Sequence, residues 1–541
     1  MVQSRGQHHI VGGGIAGLAT AVFLLRDAGV PGADIHIHEQ LDRPGGSLDG
    51  SGDARQGYLV RGGRMFEEHF ACTLDLLAGI PSADDPAVSA AEDILAFNRA
   101  VHASGNCRIV RGGRPAADRD RLGLGRGALL DLARLVLRPE RSLGDRTIAA
   151  CFRPAFFDSN FWLMWATMFS FQPWHSAVEM RRYLRRFIHL FPGFTRIEGV
   201  LRTRYNQHDA MIAPMVCWLR QRGVDIAPAR QVTDLTIGGT APARRVTRLA
   251  FADGTALAVG AEDRVYLTLG SITEGSATGS ADRAPDPAVR EGGGWGLWRR
   301  LAAAHPGFGR PEAFCGTPER TSWTSFTVTL DRPGFFALME DFTGNRAGTG
   351  GLVSFAGSAW GLSIVLFHQP HFRDQAAGTQ VFWGYGLCDD RPGEVTGRTL
   401  REATGTEILA ELAGQLGLSR DQRAVLSGAR VVPCRMPFIT SVFMARRPGD
   451  RPAVCPDPGG NFAVIGQFCE LERDCVFTVE YSVRSARAAV AQLTGRTPPP
   501  PPVARTDRDP RVVLRALRVL LGRRPAQDQR AAAGPDALAR R

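Results

Sequence analysis

His9-Ile10-Val11-Gly12-Gly13-Gly14-Ile15-Ala16-Gly17-Leu18-Ala19-Thr20-Ala21-Val22-Phe23-Leu24-Leu25 reads as a short apolar strand, a glycine turn and a helix with no large residue near its start. Those are the parts of a dinucleotide-binding βαβ unit. Gly12, Gly14 and Gly17 let the backbone turn tightly and approach a pyrophosphate, whose charge rests on the N-terminus of the helix that carries Ala16. Glycine turns are common, so the surroundings decide. A second strand, Ile35-His36-Ile37-His38, ends in Glu39, 22 residues after Gly17, where a carboxylate accepts from ribose hydroxyls.

An acid at Glu39 disfavours a 2′-phosphate. Directly after the second strand comes Asp42-Arg43-Pro44-Gly45-Gly46-Ser47, a glycine doublet typical of flavoproteins of the glutathione-reductase type, and then Tyr58-Leu59-Val60-Arg61-Gly62-Gly63-Arg64-Met65, a further segment of close backbone approach. FAD is the expected cofactor. Arg43, Gly46, Ser47, Arg61, Gly62, Gly63 and Met65 join the glycine turn as its expected contacts. Val265 to Ser271 and Phe462 to Gln467 read as later strands of the same sheet, with Ser271, Gly466 and Thr478, the start of a following helix, completing the set.

The expected fold is therefore α/β, with a discontinuous Rossmann-like FAD-binding domain, inserted mixed α+β substrate domains and a C-terminal helical tail. The FAD-binding parts fall at 1–130, 226–300 and 431–497. A helical substrate part falls at 131–225 and a β-rich one at 301–430, and 498–541 holds a proline linker and tail.

The chain has 541 residues, 44% hydrophobic and 22% charged, enough for a large core and unlike a fibrous or disordered chain. All 65 basic residues are Arg, which removes catalytic Lys, Schiff-base chemistry and a P-loop from consideration. The net charge of +11 suits anionic partners; no nucleic-acid motif accompanies it. The ten Cys include no CxxC pair, and His175, His189 and His208 have no metal-ligand spacing, so no metal is expected. No apolar stretch is long enough to span a bilayer, and the first residues are too polar for a signal peptide, so a cytoplasmic protein is expected. Pro498 to Pro502 forms a stiff spacer. Beyond it, Arg511 to Arg524 places Arg511, Arg515 and Arg518 on one helical face and Val513, Leu514, Leu517, Leu520 and Leu521 on the other. A basic amphipathic helix of this kind suits an anionic membrane surface on the inner face of the cell.

From Arg61 to Phe70 the sequence resembles the oleate hydratases, FAD-dependent fatty acid hydratases also called myosin-cross-reactive antigens. The resemblance continues through Asn160-Phe161-Trp162-Leu163-Met164-Trp165, Phe171-Gln172-Pro173-Trp174-His175-Ser176-Ala177, Arg204-Tyr205-Asn206-Gln207, Trp323 to Thr329, Gln369-Pro370-His371-Phe372, Met436 to Ser441 and Val476 to Ser482. It implies addition of water across the cis double bond of a long-chain unsaturated fatty acid, with FAD bound but no net redox change, at a membrane surface; the FAD motifs alone would also permit a redox flavoenzyme of the desaturase or amine oxidase kind, and Met65 and Val365 a non-catalytic flavin and lipid binder. Hydration needs an acid for the alkene and a base for water. The family's proton-donating tyrosine maps to Tyr183. The stripe Met180, Tyr183, Leu184, Phe187 and Ile188 turns that residue inward, with Arg181, Arg182, Arg185 and Arg186 on the other face.

Two departures stand out. Where many members carry a water-activating glutamate, this chain has Met65, as one branch of the family does. Glu67 and Glu68 are then the nearest carboxylates. Gln207 and His371 match head-group ligands, whereas two polar positions before that histidine are Val365 and Phe367, which cannot hold a carboxylate. Many members build a dimer through an N-terminal helical extension; a first strand starting by His9 points to a monomer or loose homodimer.

Overall fold

The computed structural model describes residues 6–119 and 121–522. Five parallel strands form the first sheet: β1 (His8–Val11), β2 (Ile35–His38), β3 (Asp225–Ala227), β4 (Arg264–Thr268) and β5 (Phe462–Ile465). They lie in the order β5-β4-β1-β2-β3. Val11 stands opposite both His38 and Leu267, and Leu267 opposite Val464, so the carboxyl ends of four strands reach one edge. The loops after them gather there, which is where an open parallel sheet binds its ligand. Helix α1 (Ile15–Arg26) is buried along almost its whole length and packs against the sheet and the late helix Val479–Thr494. Gly17 is required: a Cβ there would lie 1.9 Å from the Gly12 carbonyl oxygen, so only glycine lets α1 leave the turn at this angle.

An eight-stranded, mostly antiparallel sheet forms the second layer, in the order 277–278, 430–436, 323–330, 380–386, 362–366, 352–355, 109–111, 114–115. The segments 1–130 and 431–497 thus each lend strands to this sheet. Its central strand Trp323–Leu330 is buried on both faces. Phe326, Val328 and Phe382 face a separate core under the helices Gly334–Thr343 and Gly405–Gln415. From the central strand, the Oγ1 atoms of Thr327 and Thr329 accept hydrogen bonds from the backbone N–H groups of Val60 and Tyr58, each at 3.0 Å. This seats the hairpin strand Gly57–Val60 on the sheet, and the chain leaves it as Arg61-Gly62-Gly63-Arg64-Met65.

Two helices close the space between the sheets. Helix α2 (Asn160–Phe169) is capped by Ser159, which accepts from Trp162 N–H at 3.1 Å. Helix α3 (Ala177–Arg186) turns Met180, Tyr183 and Leu184 into the core, as its periodicity predicts. Its opposite face differs from expectation. Arg181, Arg182 and Arg186 are buried too, because carboxylates come to meet them: Arg182 pairs with Glu140 at 2.9 Å and Glu470 at 3.0 Å, and Arg186 with Glu67 at 2.6 Å.

Helix α4 (Val479–Thr494) starts at the Thr478 cap, and helix α5 (Pro510–Leu520) ends the described chain. Of the expected 511–524 helix, Arg523 and Arg524 lie outside the described residues. Nor do its apolar residues share one fate. Ala516 is buried on the segment Ile188–Arg196, with Val512, Val513, Val519 and Leu520 half-buried beside it, whereas Leu514, Leu517 and Leu521 are exposed. Among the described residues no helix is long and apolar enough to cross a membrane.

Candidate functional site

Three cavities meet along Arg61 to Met65. The first is a groove at the carboxyl edge of the parallel sheet, lined by Gly12, Gly14, Ala16, Glu39, Gly46, Ser47, Arg61, Ser271 and Gly466. A flavin dinucleotide fits the chemistry of this groove. Helix α1 begins at Gly14 with no side-chain cap, leaving its first N–H groups for a phosphate. Glu39 is buried with its Oε2 accepting from Gly13 N–H at 2.6 Å and its Oε1 from Leu41 N–H at 2.8 Å, which fixes the carboxylate at the strand end. Burial pushes its pKa up, and those backbone donors oppose the shift. Thr268 Oγ1 is a buried hydroxyl on the groove wall without a protein partner. Gly17 serves the turn and does not line the groove. Arg43 lies outside it and donates to the Gly50 carbonyl at 2.8 Å, holding the following hairpin. Thr478 lines the second cavity instead.

That second cavity is an apolar chamber between α2, α3 and the second sheet. It shares Arg61 with the groove and is walled by Met65, Phe169, Tyr183, Phe187, Val365 and Phe477, among others. Tyr183 is 2% exposed. Its hydroxyl donates to the Val476 carbonyl at 2.6 Å, and its ring lies among Phe169, Phe171, Phe187 and Phe443 at centroid distances of 5.1 to 5.7 Å. Burial pushes its pKa far above that of a free phenol, so the proton stays on the oxygen. The indole N–H groups of Trp323 and Trp383 have no partner and line the same chamber.

Glu67 also lines the chamber and is 1% exposed. Burial alone would raise its pKa. His189 at 3.3 Å, Arg186 at 2.6 Å and His69 at 2.8 Å outweigh that and bring it down to about 2. A carboxylate so stabilised is a poor base. Glu67, His69 and His189 hold possible ligand atoms within 4.8 Å of one another, but the Arg186 guanidinium already occupies the carboxylate and opposes a second cation. Glu68 points away: it is exposed in the turn that follows Glu67 and lines none of these cavities.

The third cavity adjoins the chamber across Gly62, Gly63, Arg64, Met65 and Val365, and adds Arg202, Gln207, Phe367 and His371. Gln207 Nε2 is buried without a partner among the described residues. His371 is stacked on Phe367 at 3.7 Å, and burial pushes its pKa down to about 3, so the ring is neutral. Arg202 has no ion pair among the described residues. It spends one nitrogen on the Val101 carbonyl at 2.7 Å and leaves Nε and Nη1 buried and unpartnered. Burial lowers its pKa to about 10, which still leaves it charged at neutral pH. Arg202 lines the same cavity as the apolar Val365 and Phe367. Its position five residues before Gln207 is the one signal in the sequence that points to it.

Comparisons with known proteins show the family and the fold. The sequence pattern of the MCRA family matches residues 5–491. An oleate hydratase of Streptococcus pyogenes serotype M49 (strain NZ131) is 39% identical over 496 residues, covering 89% of this chain and 84% of that protein. A linoleate hydratase of Lactiplantibacillus plantarum is 30% identical over 560 residues, covering 94% and 97%. Among solved structures, a putrescine oxidase bound to putrescine superposes with a TM-score of 0.53 at 13% identity, covering 91% of this chain and 99% of that one. A cyclohexylamine oxidase of Brevibacterium oxydans IH-35A does so with 0.52 at 13%, with the same coverage. At that identity the two structures speak for the fold alone. Sequence and fold together establish that the chain belongs to the MCRA family.

Proposed function

We propose that this protein adds water across the cis double bond of a long-chain unsaturated fatty acid, the oleate to 10-hydroxystearate type of reaction, with FAD bound and no net redox change. The observation that carries this reading is that the apolar chamber holding Tyr183 lies beside a pocket lined by buried Arg202, the two sharing Met65 and Val365 as walls. A fatty acid is an apolar chain with one carboxylate, and the two cavities divide along that line. Arg202 and Gln207 Nε2 supply donors for the carboxylate, with neutral His371 beside them. Val365 and Met65 line both cavities, where apolar side chains suit an alkyl chain. Gly12, Gly14, Ala16, Glu39, Gly46, Ser47, Arg61, Ser271 and Gly466 would hold FAD, which when bound supplies a fixed electrostatic and steric element of the site.

Tyr183 delivers its hydroxyl proton to one alkene carbon while water oxygen bonds to the other. The water's spare proton returns to the tyrosine oxygen, so the residue ends as it began. Burial among phenyl rings penalises a phenolate, so proton delivery and water attack must be concerted. The same penalty makes the developing phenolate a strong base, which relieves Glu67 of that duty. Glu67 instead keeps Arg186, His69 and His189 ordered behind the chamber.

At the outer surface, exposed Leu514, Leu517 and Leu521 beside Arg511, Arg515 and Arg518 support contact with an anionic membrane, the source of the substrate. The test of the chemistry is Tyr183→Phe, which keeps the ring and removes the hydroxyl. Turnover of oleate should fall by roughly 10² or more while FAD binding is retained; wild-type turnover in that variant would end the assignment of Tyr183.

A further inference from the structure

On the outer face of α3, away from Tyr183, a solvent-open cleft separates the helix from the linker at 503–508. Seven arginines line it against three carboxylates, Glu140, Glu472 and Asp507. The charges are unequally matched. Arg182 and Arg186 are neutralised from behind by Glu470 and Glu67. Asp507 is shared between Arg185 and Arg505. That leaves three guanidinium groups poorly matched. Arg473 and Arg508 are exposed and form no ion pair among the described residues. Arg181 is 8% exposed, reaches Glu140 only at 3.3 Å, shares that carboxylate with Arg182, and has an Nε without a partner. Burial and the neighbouring Arg185 lower its pKa, the mark of a cation short of counter-charge.

We propose that this cleft is a binding site for a phosphoryl group. Arg181, Arg473 and Arg508 present guanidinium forks from three different segments around one opening, and a buried arginine with a free Nε is costly unless an anion meets it. One carboxylate is satisfied by one fork. A phosphoryl group, with two or three non-bridging oxygens and one or two charges in a tetrahedral arrangement, can take several, which is why clustered arginines select it. The chemistry is shared by the phosphodiester of an acidic phospholipid and by a free phosphate monoester. The site goes beyond the hydratase reading and does not depend on it, since the cleft shares no lining residue with the dinucleotide groove or the two cavities beside it.

The cleft also touches the machinery at its back. Arg185 on α3 binds Asp507 of the linker, and Thr506 Oγ1 lies 3.3 Å from Nδ1 of His189, whose ring leads to Glu67. An anion in the cleft competes with Asp507 for Arg185 and so reaches the helix that carries Tyr183.

The experiment uses full-length protein saturated with FAD, so that the dinucleotide groove is filled. Binding of inorganic phosphate is measured by calorimetry at constant ionic strength in chloride, and sedimentation is measured with vesicles of phosphatidylglycerol or phosphatidylcholine. The test variant is Arg473→Ser with Arg508→Ser, both exposed side chains. The control is Arg346→Ser with Arg391→Ser, which removes equal charge from exposed positions elsewhere. Either the phosphate affinity or the phosphatidylglycerol binding of the test variant should fall by about tenfold or more, with the control near wild type. Phosphate that displaces the protein from phosphatidylglycerol vesicles, or loss confined to the vesicle arm, identifies a lipid head group. Saturable phosphate binding without displacement identifies a free phosphate ester. Test and control variants that behave alike in both arms would overturn the site.

Discussion

At the scale of single residues, the account turns on which buried groups have partners. Tyr183 has one, a carbonyl oxygen, and Glu67 has three. Arg202 keeps two nitrogens free. The proposed roles rest on this contrast: a structural part for the satisfied carboxylate and substrate binding for the unsatisfied cation. Arg202→Gln keeps a donor but removes the charge. It should raise KM for oleate by about tenfold or more, the worth of a charge-assisted hydrogen bond, with a smaller change in kcat. Steady-state kinetics on oleate check this, and an unchanged KM would move the carboxylate elsewhere. In the sequence Arg202 is one of 65 arginines, and only its place five residues before Gln207 points to it. What marks it is two unpartnered buried nitrogens on the wall of a cavity, and that depends on segments far away in the chain. Met65 and Val365 were legible as departures from a pattern. What they line was not.

At the scale of elements, local signals were read where the chain makes its own structure. The glycine turn, α1 and Glu39 at the end of β2 depend on contacts within about thirty residues, and the inward stripe of α3 on one helix alone. The hairpin Gly57–Val60 is different. Its partners, Thr327 and Thr329, are some 270 residues away, and no local pattern announces that their hydroxyls will accept from its backbone. Helix α5 shows the same limit: its amphipathic period is plain, but which apolar residues dock and which face solvent depends on the segment 188–196 beneath it. The exposed three carry the prediction. Leu514→Ser with Leu517→Ser leaves the docked face intact, so the fold and the turnover of detergent-dispersed oleate should persist. Binding to anionic vesicles should weaken by about an order of magnitude or more, since each buried leucine is worth about 1.5–3 kcal/mol. Sedimentation with phosphatidylglycerol vesicles reads this directly, and unchanged binding would remove α5 from the membrane contact.

At the scale of the whole molecule, five histidines are held neutral by burial. His38, His175 and His371 have their pKa pushed from 6.5 down to about 3, and His8 and His9 down to about 4. Folded, these groups bind fewer protons than unfolded, so their contribution is fully present above pH 6.5 and is lost as pH falls from there towards 3 to 4. Thermal unfolding of the FAD-loaded protein should therefore show Tm falling below about pH 6.5, before most carboxylates titrate; a Tm constant down to pH 5 would contradict it. The same burial that makes the protein acid-sensitive builds its dry interior, where an alkene and a phenol can meet one water. Hydration there consumes no oxidant. The most direct test is to incubate the FAD-loaded protein with oleate in water enriched in heavy oxygen, without dioxygen, and to weigh the product while following the flavin spectrum. The account predicts a hydroxy acid heavier than oleate by one labelled water, with the flavin in the same oxidation state before and after. A product that has lost two hydrogens, or one formed only when dioxygen is admitted, would contradict it.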